Sequence, residues 1–136
     1  MKRFITIILF GMMLMLSACG GAGASTPEAS AKNWIEALFK ADGTTLRANM
    51  CRQQSLALTD DLIGQLAQGL SQAGSALDLS GLTYAYNGAG QVVIGGMVKI
   101  TIAGQTLERS LADLGLNMIP VVEEDNGWKV CLSLGG

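Results

Sequence analysis

Apolar residues in this chain follow two different periods, and the change between them divides the sequence into a helical part and a sheet part. Ala31, Trp34, Ile35, Leu38 and Ala41 recur at helical spacing and predict one apolar stripe. Thr26 stands where a side chain can cap that helix, Pro27 fits its first turn, and Glu28 sits at the positive end of its dipole. Asp42-Gly43 reads as its stop. A second, shorter helix is expected after Thr44 or Thr45, carrying Leu46, Met50 and Cys51. A third opens at Thr59 with Asp60 and Asp61, shows Leu62, Leu66, Leu70 and Ala73 on one face, and closes near Gly74.

From Ser75 the period shortens to two. Leu77 and Leu79, then Leu82, Tyr84 and Tyr86, alternate with small or polar residues until Asn87-Gly88 breaks the run. Val92 to Ile102 reads as one further strand, with Val98, Ile100 and Ile102 on one face and Gly95-Gly96 marking a bulge or sharp bend. Ala103-Gly104 turns the chain back into Gln105 to Leu111. The runs Ile119 to Glu123 and Trp128 to Leu132 flank Asp125-Asn126-Gly127, whose Asn-Gly is a strong hairpin signal. Three helices followed by about five antiparallel strands predict an α+β domain over residues 26–136, its N-terminal helices laid over one face of the sheet.

The first residues obey neither period. Met1-Lys2-Arg3 is basic, Phe4 to Leu16 is uncharged, and small residues precede Cys19, which is the order of an export signal. The uncharged run is shorter than the roughly 20 residues a membrane-spanning helix needs, so a retained transmembrane anchor is the weaker alternative. Leu16-Ser17-Ala18-Cys19 resembles the lipobox of bacterial lipoproteins at all four positions. The resemblance implies a signal peptide over residues 1–18, cleavage before Cys19, and a diacylglyceryl group on its thiol. Two acyl chains anchor stably where one binds only reversibly. Residues 19–25 then form the lipidated cysteine and a flexible Gly- and Ala-rich tether. The expected location is the extracytoplasmic face of the cell membrane or outer membrane, with membrane lipid as the partner of Cys19.

Charge narrows the remaining partners. The chain has 9 basic and 11 acidic residues and no histidine, and the leader takes Lys2 and Arg3 with it. The acidic mature chain argues against nucleic acid or anionic lipid. Apart from Cys19, the cysteines are Cys51 and Cys131; an even pair in an exported protein reads as a disulfide, with two buried free thiols as the alternative. Without histidine they cannot build the usual zinc set, and no metal site is expected.

The stretch TPEASAKNWIEALFKADGTTLRANMC and the closing VVEEDNGWKVC resemble small exported proteins of the nuclear-transport-factor-two-like superfamily. In that superfamily a helix with a buried Trp or Phe and an Asp-Gly stop precedes a curved sheet. The resemblance spans residues 27 to 133 and implies a cone whose open end can hold an apolar ligand. A cystatin-like layout, one helix on a comparable sheet, is the competing fold. Relatives of the cone type include isomerases, cyclases and dehydratases, which need a carboxylate or His base with a Tyr or carboxylic acid to stabilise an enolate.

Here the acid-base candidates are Asp42, Asp78 and Asp113, with Tyr84 or Tyr86. Each has a simpler explanation: Asp42 as a helix stop, Asp78 as a polar strand-start residue, Asp113 in a loop. Trp34, Tyr84 and Tyr86 are the candidates for lining a small-ligand pocket, weighed against plain core packing. Glu123-Glu124-Asp125 reads as a solvated hairpin tip rather than a cation site. Gly88-Ala89-Gly90-Gln91-Val92-Val93 lacks the last glycine of a dinucleotide fingerprint and precedes a strand, so no cofactor is expected. The expected function is a non-enzymatic binding or interaction module for a small apolar ligand or an envelope protein. A ketosteroid-isomerase- or cyclase-like enzyme using Asp113 or Asp42 as base, and an accessory subunit of an envelope complex, are the alternatives.

Overall fold

The computed structural model describes residues 24–72, 75–124 and 127–132. The expected leader, Cys19, tether positions 20–23, the Ala73-Gly74 helix end and Asp125-Asn126 of the last hairpin lie outside the described residues.

Helix α1, Pro27–Lys40, opens as its sequence predicts, with the Thr26 hydroxyl accepting the Ala29 N–H at 3.1 Å. Its end differs. Ala41 adopts the left-handed conformation (φ 51) and donates its N–H to the Ala37 and Leu38 carbonyls. Asp42 is therefore the first residue of the next structure rather than a stop. It caps α2, Gly43–Ala48, accepting the Thr45 N–H at 3.1 Å and the Thr45 hydroxyl at 2.6 Å. A single helical turn, α3, Arg52–Ser55, was not predicted. Helix α4, Asp60–Gln72, starts where Thr59 and the two aspartates place it. Its expected face is rotated, because Leu62 is half exposed while Ile63 packs toward the core beside Gly43. Arg47 fixes that corner, donating to the Leu58 carbonyl at 3.0 Å and pairing with Asp60 at 2.5 Å.

Among the described residues the sheet part holds seven strands rather than about five: β1 Ser75–Asp78, β2 Leu82–Tyr86, β3 Gln91–Gly96, β4 Val98–Ile102, β5 Gln105–Arg109, β6 Met118–Glu124 and β7 Gly127–Val130. They form two antiparallel sheets, ordered β2-β3-β6-β7 and β1-β4-β5. The expected single strand from Val92 to Ile102 is thus two strands in different sheets. The break falls at Gly96 (φ 82), a conformation that glycine adopts without a Cβ penalty. Ala103 (φ 51) and Gly104 (φ 79) make the predicted turn. Leu111 leaves the strand and is buried in a 3-10 turn, Leu111–Leu114, capped by Ser110.

Helix α1 lies across all four strands of the larger sheet. Ala31, Trp34, Ile35 and Ala37 meet Leu82, Val92, Ile94, Ile119, Val121 and Val130 there. Ile35, Val92, Ile119 and Val130 are fully buried, each burial contributing about 1.5–3 kcal/mol. The result is an α+β fold with helices packed on a curled antiparallel sheet; among the described residues four helical segments, rather than the single helix of a cystatin-like layout, precede the sheet.

The outer edge of β7 is covered by two other segments. Ala24 bridges Trp128, accepting its N–H at 2.9 Å, and Met50 bridges Val130. Cys51 and Cys131 are joined as a disulfide, with Cα atoms 5.2 Å apart. Among the described residues no helix is long and apolar enough to cross a membrane.

Candidate functional site

At the opposite edge of the same sheet, β2 runs beside α1. Glu28 of the helix meets Tyr86, and Lys32, Glu36 and Lys40 continue past Tyr84 toward Leu82, so helix and strand run antiparallel. The three charged residues are four apart and therefore stand on one side of α1, about 6 Å from one to the next. Lys32 and Glu36 are 3.9 Å apart. The far wall is the β1–β2 connection. Its shape follows from the Asp78 carboxylate accepting the Ser80 N–H at 2.9 Å and from the Leu82 N–H bonding back to Leu79 at 3.1 Å. Between the walls lies a groove of about 520 Å³, within the size range of small-ligand sites, with Leu77, Leu79 and Leu82 apolar and Tyr84 as its aromatic side chain.

Tyr84 is the partly buried perturbed group of this groove. Burial, and secondarily the nearby Glu36 carboxylate, push its phenol up to about 12, so it is a neutral hydroxyl, donor and acceptor, at any physiological pH. The backbone of β2 adds a second feature. Tyr86 donates its N–H to Glu28 at 3.1 Å, away from β3, while Asn87 donates to Gln91 toward β3. Antiparallel alternation then directs the Tyr84 N–H and C=O outward, into the side where the groove lies.

Of the expected pocket residues, Tyr84 lines this groove and the other two stand elsewhere. Trp34 is 4% exposed in the core under the sheet; its Nε1 and the Ser30 hydroxyl have no hydrogen-bond partner among the described residues. Tyr86 stacks on Trp128 at 5.4 Å and 59°, and its hydroxyl accepts the Gly90 N–H at 3.2 Å, which makes it part of the β2–β3 turn. Of the acid-base candidates, Asp78 lines the groove together with Tyr84, while Asp42 and Asp113 stand on separate segments away from it, and all three carboxylates are exposed. Hydrogen bonds from Thr45 hold Asp42 below the usual carboxylate range, and those from Ser80 do the same for Asp78. A base that abstracts a carbon-bound proton needs the opposite shift. Among the described residues no group of three or more His, Cys, Asp or Glu side chains is placed to hold a metal ion.

Lys32, Glu36 and Lys40 were missed as site residues. Their four-residue spacing is visible in the sequence, but by itself it marks only a solvated helix face. What makes it a wall is β2 lying alongside, a contact between segments about fifty residues apart.

No family model matches this chain, and no curated protein matches it at significance. Among solved structures, the chain is similar to the crystal structure of a protein named an NTF2-like transpeptidase, from Campylobacter jejuni, at 15% sequence identity and a TM-score of 0.41, with 79% of this chain and 99% of that one covered.

Proposed function

We propose that this chain is a lipid-anchored, extracytoplasmic, non-enzymatic binding module of the nuclear-transport-factor-two-like kind, and that the groove between α1 and the β1–β2 connection is its ligand surface. The lipobox carries the anchoring half of this reading: Leu16-Ser17-Ala18-Cys19 is complete and stands at the end of an apolar leader. The binding half is carried by one observation, a groove that combines an apolar floor with charged walls and a neutral, partly buried Tyr84.

Chain entry supports the combination. Ala24 is tied to Trp128 on β7, only five positions after Cys19, so a lipid on Cys19 would hold the β7 edge near the bilayer. The groove lies at the other end of the strand order, on β2, beyond the Tyr86 end that the curl of the sheet brings onto Trp128. Anchoring at one edge leaves the other free to meet a ligand. The exposed positions of Asp42 and Asp113 away from the groove, and the hydrogen bonds that hold Asp78 low at its rim, favour binding over isomerase or cyclase chemistry.

Two measurements test the reading. Cys19→Ala should leave an unprocessed precursor without diacylglyceryl, and a wild-type mature mass in the membrane fraction would refute the anchor. Native mass spectrometry of the detergent-extracted protein should show a retained molecule that Lys40→Glu releases. Retention unaffected by Lys40→Glu would move the binding surface away from the groove.

A further inference from the structure

The open edge of β2 is short and sharply bounded. At Tyr86 the outward N–H is already taken by Glu28, and at Leu82 the N–H is taken by Leu79. Tyr84 lies between them with its N–H and C=O directed outward and without a partner among the described residues. One residue of an extended chain placed opposite Tyr84 would satisfy both groups, as in strand addition to a sheet edge. Residues opposite one another share a sheet face, so that residue's side chain would lie on the Tyr84 side, beside Glu36.

The charges on α1 extend the match. Alternate residues of an extended strand are about 6.8 Å apart, close to the roughly 6 Å between helix positions four apart. With a central residue at Glu36, the residues two before and two after it would face Lys32 and Lys40. The complementary order is acidic, basic, acidic at alternate positions. We infer that the groove binds a short extended polypeptide segment by adding a strand to β2 at Tyr84, with an acidic–x–basic–x–acidic pattern read by Lys32, Glu36 and Lys40. This inference rests on the reading of the groove as the ligand surface and names the class of ligand.

The test uses the full chain, solubilised in detergent and labelled with nitrogen-15. The probe is a blocked pentapeptide of glutamate, threonine, lysine, threonine and glutamate. The Tyr84 amide signal should shift saturably. N-methylation of the central lysine, which removes the N–H meant for the Tyr84 carbonyl, should weaken binding about tenfold or more. Exchanging the peptide's acidic and basic positions should weaken it similarly. An unmoved Tyr84 amide, or equal affinity for the methylated or charge-exchanged peptide, overturns the inference. A fragment set of aromatic amines and carboxylic acids separates the two levels. If fragments shift Tyr84 and Leu82 while the peptide does not, strand addition fails and the groove reading stands; if neither shifts them, both fail.

Discussion

Replacing Gly96 by alanine should unfold this protein more readily than any other single-methyl change along the β3–β4 segment. Gly96 is where the chain leaves the four-stranded sheet for the three-stranded one, at φ 82. A Cβ there would overlap the Gly81 carbonyl oxygen and stand 3.0 Å from its carbon and 3.2 Å from Leu82 Cα, all backbone atoms that no rotamer change can move. Gly104 supplies an internal control, with the same left-handed backbone (φ 79) but nothing near the added methyl. Left-handed strain alone costs about 1–2 kcal/mol, which sets the expectation for Gly104→Ala. Gly96→Ala adds the separation of β2 from β3 at the Leu82–Gly96 pair, so its total should reach at least about 4 kcal/mol. At about 4 °C per kcal/mol for a domain near this size, Tm should fall by about 4–8 °C for Gly104→Ala and by about 15 °C or more for Gly96→Ala. Gly95→Ala completes the series: its Cβ meets only the Thr83 hydroxyl, at 2.8 Å, and that side chain can rotate, so the loss should stay near ~1 kcal/mol. Thermal melts followed by far-UV circular dichroism suffice. A Gly96→Ala protein melting within about 5 °C of Gly104→Ala would refute the claim that the sheet break depends on a missing side chain.

The Cys51–Cys131 bridge closes a separation of 80 residues, so its removal by a Cys51→Ala/Cys131→Ala double change should cost about 4–5 kcal/mol in the chain-entropy treatment and lower Tm by about 15–20 °C. Equal melting with and without reductant would contradict it. Tyr84 is protonated more tightly in the folded chain than in the unfolded one, so it contributes stability that is present below pH 10 and lost as pH rises toward about 12. Tyr84→Phe should flatten that part of the Tm-versus-pH curve; an unchanged slope would show that other groups cause it. Asp42, held low by its bonds to Thr45, contributes stability that is present above its unfolded value of 3.8 and lost as pH falls below it. Asp42→Ala should lower Tm at neutral pH, and Asp42→Asn, which keeps a capping oxygen, should restore most of it while removing the acid dependence.

Local instructions in this sequence were legible wherever one short segment decides the outcome. Thr26, Pro27 and the Trp34 stripe define α1, Ala103-Gly104 turns β4 into β5, and Gly95-Gly96 announces a bend. The same reading failed where two segments compete for one residue. Asp42 follows a helix and precedes another, and its carboxylate goes to Thr45 because the Ala41 N–H has already closed α1. Leu62 and Ile63 both fit a helical stripe, and the corner at Gly43 and Arg47 selects Ile63. Leu111 extends the alternation of β5, yet burial in the 3-10 turn removes it from the strand.

The site divides along the same line. Tyr84 could be nominated from its strand spacing, but Trp34 and Tyr86, with equal claims in the sequence, went to the core and to a turn. By itself the sequence determined the class of fold, the starts of α1 and α4 and the Ala103-Gly104 turn, because caps, glycine conformations and hydrophobic periods act over a few residues. Tertiary structure alone decided that Val92 to Ile102 divides between two sheets, and that Lys32, Glu36 and Lys40 face the open edge at Tyr84. Those outcomes depend on contacts between segments far apart in the chain, which no local spacing encodes.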